Sequence, residues 1–201
     1  MIRRLLLASL GAFFVIGSGE PAVAQAQWQD VDCGAAKLTT TASQLRCRRG
    51  PVFDNYGGSA QGAIDCVGEQ WAVFTRSPAN FGFARLANLR TLLASCAVRL
   101  GDIGERLKSH MGNLCDRSEP SCVWAKDTTG WSDVSQIGDI YAGSFTSGRG
   151  ENCKAFAKLG PPWQFGFAWR LSGWLCGAQG KSVPDGDLQS FVSSLIVRVQ
   201  Y

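Results

Sequence analysis

The chain has 201 residues, of which 20 are Lys or Arg, 16 are Asp or Glu and one is His, so its formal net charge at pH 7 is +4. This weak charge argues against nucleic acid as a partner, because nucleic-acid binding requires a concentrated basic face. The length suits a single domain with its own core.

The first residues have the layout of a signal peptide. Arg3 and Arg4 precede an apolar run from Leu5 to Ile16, and small residues follow. Cleavage is expected after Ala24, with Ala26 as the alternative. The apolar run is shorter than the roughly 20 residues of a bilayer-spanning helix, so an uncleaved anchor is disfavoured. We expect a signal peptide over 1–24, one globular domain over 25–201, a periplasmic or secreted location and no membrane span after cleavage.

Apolar spacing predicts three helices in the first two thirds of the chain. One runs from Ser59 to Phe74, with Ser59 as its cap. A second apolar stripe runs from Leu86 to Leu107, where two glycines favour a bend or a break. A short third helix is expected between Ser132 and Tyr141, and residues 144–152 have the composition of a loop.

A strand and a final helix are predicted near the end. Apolar residues alternate from Phe165 to Leu171, which indicates a strand with one buried face. Its candidate partners are residues 122–125 and 196–201. A capping box at Ser182 opens a helix that continues to Leu195. The expected fold is a helix-rich α+β domain with a small antiparallel sheet, stapled by disulfides.

Eight cysteines follow the leader, and an even number in an exported chain predicts four bridges. No C-x-x-C motif occurs, which argues against a thioredoxin-type pair, a zinc ribbon and covalent haem attachment. Pairing of nearest neighbours gives Cys33–Cys47, Cys66–Cys96, Cys115–Cys122 and Cys153–Cys176. A bridge that closes the shortest of these loops, from Cys115 to Cys122, would add about 2.5 kcal/mol to the free energy of unfolding.

The sequence identifies no reaction, no metal site and no cofactor. His110 is the only histidine, and without a G-x-S-x-G motif a serine triad is not supported, so it is interpreted as a cation near a helix end. Asp65 and Glu69, four apart on the first predicted helix, are the candidate carboxylate pair for general acid catalysis. A solvated helix face is the favoured interpretation of this pair, since glycan hydrolases place their carboxylates on opposite sides of the substrate.

The candidate ligand-binding residues are a basic group and two tryptophans. Arg46, Arg48 and Arg49 surround Cys47 and could bind a phosphate, a carboxylate polymer or an acidic partner. A solubilising loop is the alternative interpretation of this arginine group. Most of the seven tryptophans are expected in the core, Trp71 and Trp169 among them, whereas Trp131 and Trp163 are the two candidates for exposure.

Because the sequence contains no recognisable catalytic or metal-binding motif, the favoured hypothesis is a non-catalytic binding module for an envelope polymer or a protein partner. The alternative is a small exported hydrolase that acts on glycan or peptidoglycan through carboxylates. A protein inhibitor that displays the loop between Cys115 and Cys122 is the third hypothesis.

Overall fold

The computed structural model describes residues 28–42, 44–50, 68–89, 107, 127–163, 166–177 and 180–199. Within them, eight strands form one antiparallel sheet in the order β1-β3-β4-β5-β11-β8-β7-β6. Two further pairs of short strands, β9 with β10 and β2 with β12, lie outside that sheet. The first strands are β1 (Gln29–Val31), β2 (Leu38–Thr40), β3 (Gln44–Arg49), β4 (Gly68–Arg76) and β5 (Asn80–Leu89). The later elements are β6 (Ser135–Ile137), β7 (Ile140–Thr146), β8 (Asn152–Leu159), β9 (Pro162–Trp163), β10 (Gly166–Phe167), β11 (Trp169–Gly177), helix α1 (Asp185–Ser194) and β12 (Leu195–Val197).

Strand β11 joins the two halves of the sheet. It pairs with β5 on one side and with β8 on the other, and all nine of its residues are buried. A Cβ atom at Gly173 would lie 2.0 Å from the carbonyl oxygen of Phe83, so this position of β11 requires glycine.

Each face of the sheet contributes to its own core. On the helix-side face, residues such as Trp71 and Leu86 pack with α1, whose Leu188, Phe191 and Val192 are buried. On the opposite face, residues such as Phe74, Phe83 and Trp174 form a second cluster. Successive residues of a strand point to opposite faces, and both faces are covered here, so the central strands are apolar on both sides.

The predicted helix-rich α+β fold is wrong, because the described chain is mostly β. The helices expected at Ser59–Phe74 and from Leu86 conflict with β4 and β5, although Leu107 at the far end of the second stripe is helical. The third predicted helix is replaced by β6 and the start of β7. In a strand buried on both faces, apolar residues fall at three- and four-residue intervals without forming a helical stripe. Residues 59–67 lie outside the described part of the chain.

The predictions for the end of the chain agree better with the structure. The strand predicted from Phe165 to Leu171 is divided, because Gly166 and Phe167 form β10, which pairs with β9, and β11 begins only at Trp169. The partners of β11 are β5 and β8, and both its faces are buried. Phe165 lies outside the described residues. The proposed partner at residues 196–201 instead contributes Ile196 and Val197 to the pair with β2, and residues 122–125 lie outside the described range.

The final helix is confirmed, although it ends at Ser194 and Leu195 is in β12. The capping box is wrong, since Pro184 is the N-cap and no side chain caps the helix. Within residues 144–152, only 147–151 lie between strands.

Two of the predicted disulfides are present. Cys33 is bonded to Cys47, and Cys153 is bonded to Cys176. Cys153 and Cys176 are direct partners in the pairing of β8 with β11. The bridges are consistent with an oxidising, extracytoplasmic location. The pairings Cys66–Cys96 and Cys115–Cys122 fall outside the described residues, as does the predicted leader.

None of the helical segments described by the structure has the length and apolar character of a membrane span.

Candidate functional site

The arginine group lies on β3, where strand geometry separates its members. Arg46 and Arg48 both reach Asp30 on β1, whereas Arg49 points to the other face, with its guanidinium carbon 5.6 Å from the ring centre of Trp71. Because neighbouring residues of a strand face opposite ways, the three guanidinium groups do not converge on one ligand.

Asp30 binds two members of this group. Arg46 donates two hydrogen bonds to its carboxylate, at 2.5 and 2.8 Å, and Arg48 Nε lies 3.1 Å from the same group. The hydrogen bond from Arg46 is the main reason that the pKa of Asp30 lies below its ordinary value, and the same bond raises the pKa of Arg46. Two of the three arginines are therefore already paired with a carboxylate of the protein itself.

The prediction of a carboxylate pair depended on a helix that would contain both Asp65 and Glu69. Glu69 lies on β4 rather than on a helix, and its carboxylate forms an ion pair with Lys37. Asp65 and His110 lie outside the described residues. The expected shared helical face is therefore wrong for Glu69.

Of the two tryptophan candidates, Trp131 has a described side chain and Trp163 does not. Trp131 is half-buried, stacks on Phe145 with ring centres 4.7 Å apart, and donates a hydrogen bond from Nε1 to Thr128. Trp163 belongs to β9, and its side chain lies outside the described part. Trp71 and Trp169 are buried, as predicted.

Two tight turns lie at one end of the sheet. The turn between β4 and β5 is held by Ser77, whose N–H donates to the carbonyl of Asn80 at 2.8 Å and whose hydroxyl accepts from the N–H of Asn80 at 3.0 Å. The turn between β7 and β8 is held by Ser147, whose hydroxyl accepts from the N–H groups of Arg149 and Glu151 at 3.2 and 3.1 Å. Both turns are therefore ordered by their own hydrogen bonds.

These turns border a cleft of about 410 Å³ on the opposite face of the sheet, which we call the disulfide-side cleft. Arg76 and Arg149 are exposed at its rim, and Glu151 is half-buried beside Ser147, which donates a hydrogen bond to it. Phe81 stacks on Trp174 with ring centres 5.3 Å apart and provides an aromatic wall. The lining residues are Arg76, Ser77, Pro78, Ala79, Asn80, Phe81, Arg149, Glu151, Cys176 and Gly177.

A second cleft, of about 280 Å³, lies beside α1, and we call it the helix-side cleft. Asp187 and Ser190 of α1 are exposed there, while Phe191 and Leu175 form a buried apolar floor. Its lining residues are Ala42, Thr75, Arg76, Ser77, Asn80, Leu175, Asp187, Ser190, Phe191 and Ser194.

Arg76, Ser77 and Asn80 line both clefts, so the turn between β4 and β5 is their common wall. Within the described part of the chain, the Arg76 side chain has no ion-pair partner. Guanidinium groups bind carboxylates and phosphates through paired hydrogen bonds, and an aromatic wall packs against the apolar face of a sugar.

Sequence reasoning did not identify these residues as a site. Arg76 and Arg149 are isolated charges 73 positions apart, and only strand pairing brings their turns to the same sheet end. The available sequence signal was turn composition, as in Ser77-Pro78-Ala79-Asn80.

Among the described residues, no three His, Cys, Asp or Glu side chains are grouped so that they could hold a metal ion. Neither a protein-family model, nor a curated protein, nor a solved structure matches this chain. Its function is therefore inferred from the chemistry of the two clefts.

Proposed function

We propose that this protein is an exported, non-catalytic binding module that holds an anionic polymer of the cell envelope at the end of its sheet. The observation that carries the proposal is the position of Arg76, at the end of β4, and Arg149, in the turn between β7 and β8, which line one cleft. The ordered turns hold the backbone at both positions, and guanidinium groups bind carboxylates and phosphates through paired hydrogen bonds.

The arginine group on β3 is the weaker candidate for the binding site. Asp30 occupies two of its three members, and a ligand would have to displace that carboxylate. Among the described residues, Arg76 forms no ion pair that a ligand would have to displace. The candidates named from sequence, Trp131 and Arg46 among them, therefore come second to the cleft residues in this proposal.

The hydrolase alternative has less support. Glycan hydrolases usually need two carboxylates on opposite sides of the scissile bond, about 5 Å or more apart. Each cleft has one described carboxylate, Glu151 on the disulfide side and Asp187 on the helix side. Glu69 is engaged with Lys37, so it is not available as a general acid in this arrangement.

The test is sedimentation of the purified, oxidised protein with insoluble peptidoglycan, in which both the bound protein and any released soluble fragments are measured. Arg76→Gln and Arg149→Gln are each expected to weaken binding roughly ten- to a hundredfold, since a hydrogen bond to a charged group contributes about 1.5 to 3 kcal/mol. Added salt should weaken binding further by screening.

Arg46→Gln is the matched control, because it removes the same charge from the arginine group. It should bind as the unaltered protein does. Equal losses in all three variants would show a general charge effect and contradict a site at the cleft. Release of soluble fragments would favour the hydrolase.

A further inference from the structure

The two clefts differ in chemistry although they share a wall. The disulfide-side cleft has two arginines and one carboxylate that is already hydrogen-bonded by Ser147. The helix-side cleft also has Arg76, but there the carboxylate of Asp187 balances its charge, and Ser190 adds a hydroxyl group. The disulfide-side cleft therefore suits an acidic group better, whereas the helix-side cleft offers hydrogen-bonding groups to neutral hydroxyl groups.

The shared wall is narrow and fixed. It consists of the turn from Ser77 to Asn80, which is closed by a hydrogen bond in each direction, at 2.8 and 3.0 Å. Arg76, at the end of β4, lines both clefts. A ligand that crosses this turn would pass directly from one cleft into the next.

Neither cleft is large. Their volumes, about 410 and 280 Å³, lie near the lower end of the range of roughly 300 to 1,000 Å³ that is typical of small-molecule sites. Each therefore suits one unit of a chain rather than a long segment, and a polymer would gain affinity by occupying both.

On the basis of the proposed function, we infer that the two clefts are adjoining subsites for an acidic heteropolysaccharide in which a carboxylated sugar is followed by a neutral sugar. The acidic unit binds between Arg76 and Arg149, with its apolar face against Phe81. The neutral unit binds beside α1, where Asp187 and Ser190 accept or donate hydrogen bonds to its hydroxyl groups. Because Asp187 balances the charge of Arg76 in the helix-side cleft, a second acidic unit is attracted less strongly there, which disfavours a chain with acid on every unit.

The experiment is calorimetric titration of the purified, oxidised protein with four probes. They are glucuronate, an oligosaccharide of alternating glucuronate and N-acetylglucosamine, a fully acidic oligogalacturonate of equal length, and a neutral chitin oligosaccharide. The alternating oligosaccharide is expected to bind about tenfold more tightly than each of the others, because only it satisfies both subsites.

Variants separate the subsites. Asp187→Asn should narrow the difference between the alternating and fully acidic oligosaccharides to roughly threefold, because it removes the carboxylate that balances Arg76 in the helix-side cleft. Asp133→Asn, an equal charge change at an exposed position outside both clefts, should leave that difference unchanged. Ser190→Tyr, which fills the helix-side cleft, should reduce the preference for the alternating oligosaccharide over glucuronate.

The titrations distinguish a wrong second subsite from a wrong proposed function. If acidic probes bind through Arg149 but Ser190→Tyr and Asp187→Asn change no preference, the second subsite is wrong and the anion-binding cleft stands. If no acidic probe binds, or Arg149→Gln binds each of them as tightly as the unaltered protein, both are overturned.

Discussion

Strand β3 and the end of the sheet both present arginine at the surface, but they use it differently. On β3, three arginines lie within four consecutive positions, and Asp30 and the Trp71 ring contact all of them. At the sheet end, Arg76 comes from the last position of β4 and Arg149 from the turn between β7 and β8, and both line one cleft. On β3 this crowding of charge does not make a site, because Arg49 faces away from the other two arginines, which are bound to Asp30.

The largest expected difference between the two regions concerns their disulfides. Cys153→Ser combined with Cys176→Ser should lower the free energy of unfolding by about 3.5 kcal/mol on the chain-entropy model, and Cys33→Ser combined with Cys47→Ser by about 3 kcal/mol. Only loss of the first pair should also weaken peptidoglycan binding, because Cys176 lines the disulfide-side cleft, whereas Cys47 is a buried residue of β3 and lines neither cleft. Urea unfolding and sedimentation measure the two effects.

Equal losses of binding in both double variants would contradict the prediction that only the bridge beside the cleft affects binding. That result would make the cleft dependent on overall stability rather than on the bridge beside it.

Trp131 provides a test of intermediate size. Trp131→Ala should lower the free energy of unfolding by about 2 kcal/mol, since it removes an aromatic stack and a hydrogen bond. Thermal unfolding measures this loss. Binding should not change, and a loss of binding at unchanged stability would instead make Trp131 a ligand contact.

The smallest effect is expected at Asp30. Its pKa is lowered in the folded protein, mainly by the hydrogen bond from Arg46, so the ionised form stabilises the fold above about pH 4 and this contribution disappears as the pH falls through the lowered value. Asp30 is largely exposed, so Asp30→Asn should cost less than about 1 kcal/mol near neutral pH.

Unfolding curves of Asp30→Asn and the unaltered protein, recorded from pH 7 to pH 2, should converge at the acidic end. A difference that grew on acidification would contradict the assignment.

The amphipathic part of the fold was predictable, and the doubly buried part was not. Helix α1 has one apolar stripe, at Leu188, Phe191 and Val192, so periodicity located it. Trp71 and Phe74 have the same three-residue spacing but lie on opposite faces of β4, and periodicity mistook them for a helical stripe. Both described disulfides follow nearest-neighbour pairing, since the chain folds back locally at each.

The candidate site depends on contacts that local pattern does not contain. The residues of the shared wall lie in one short turn, which composition can indicate. Arg149 and Gly177 reach that turn only through the registers of β8, β11 and β5. Those registers follow from packing across the whole sheet, so the cleft was not visible in the sequence.

The central position of β11 has a kinetic consequence. Within the described sheet, strands β1, β3, β4 and β5 meet strands β6 to β8 only through residues 169–177, so β5 and β8 each have one unpaired edge before these residues are added. Contacts between β5 and β11 span more than 80 positions, and such long-range pairing slows folding. The described sheet should therefore stay incomplete, and its unpaired edges vulnerable to aggregation, until β11 is added.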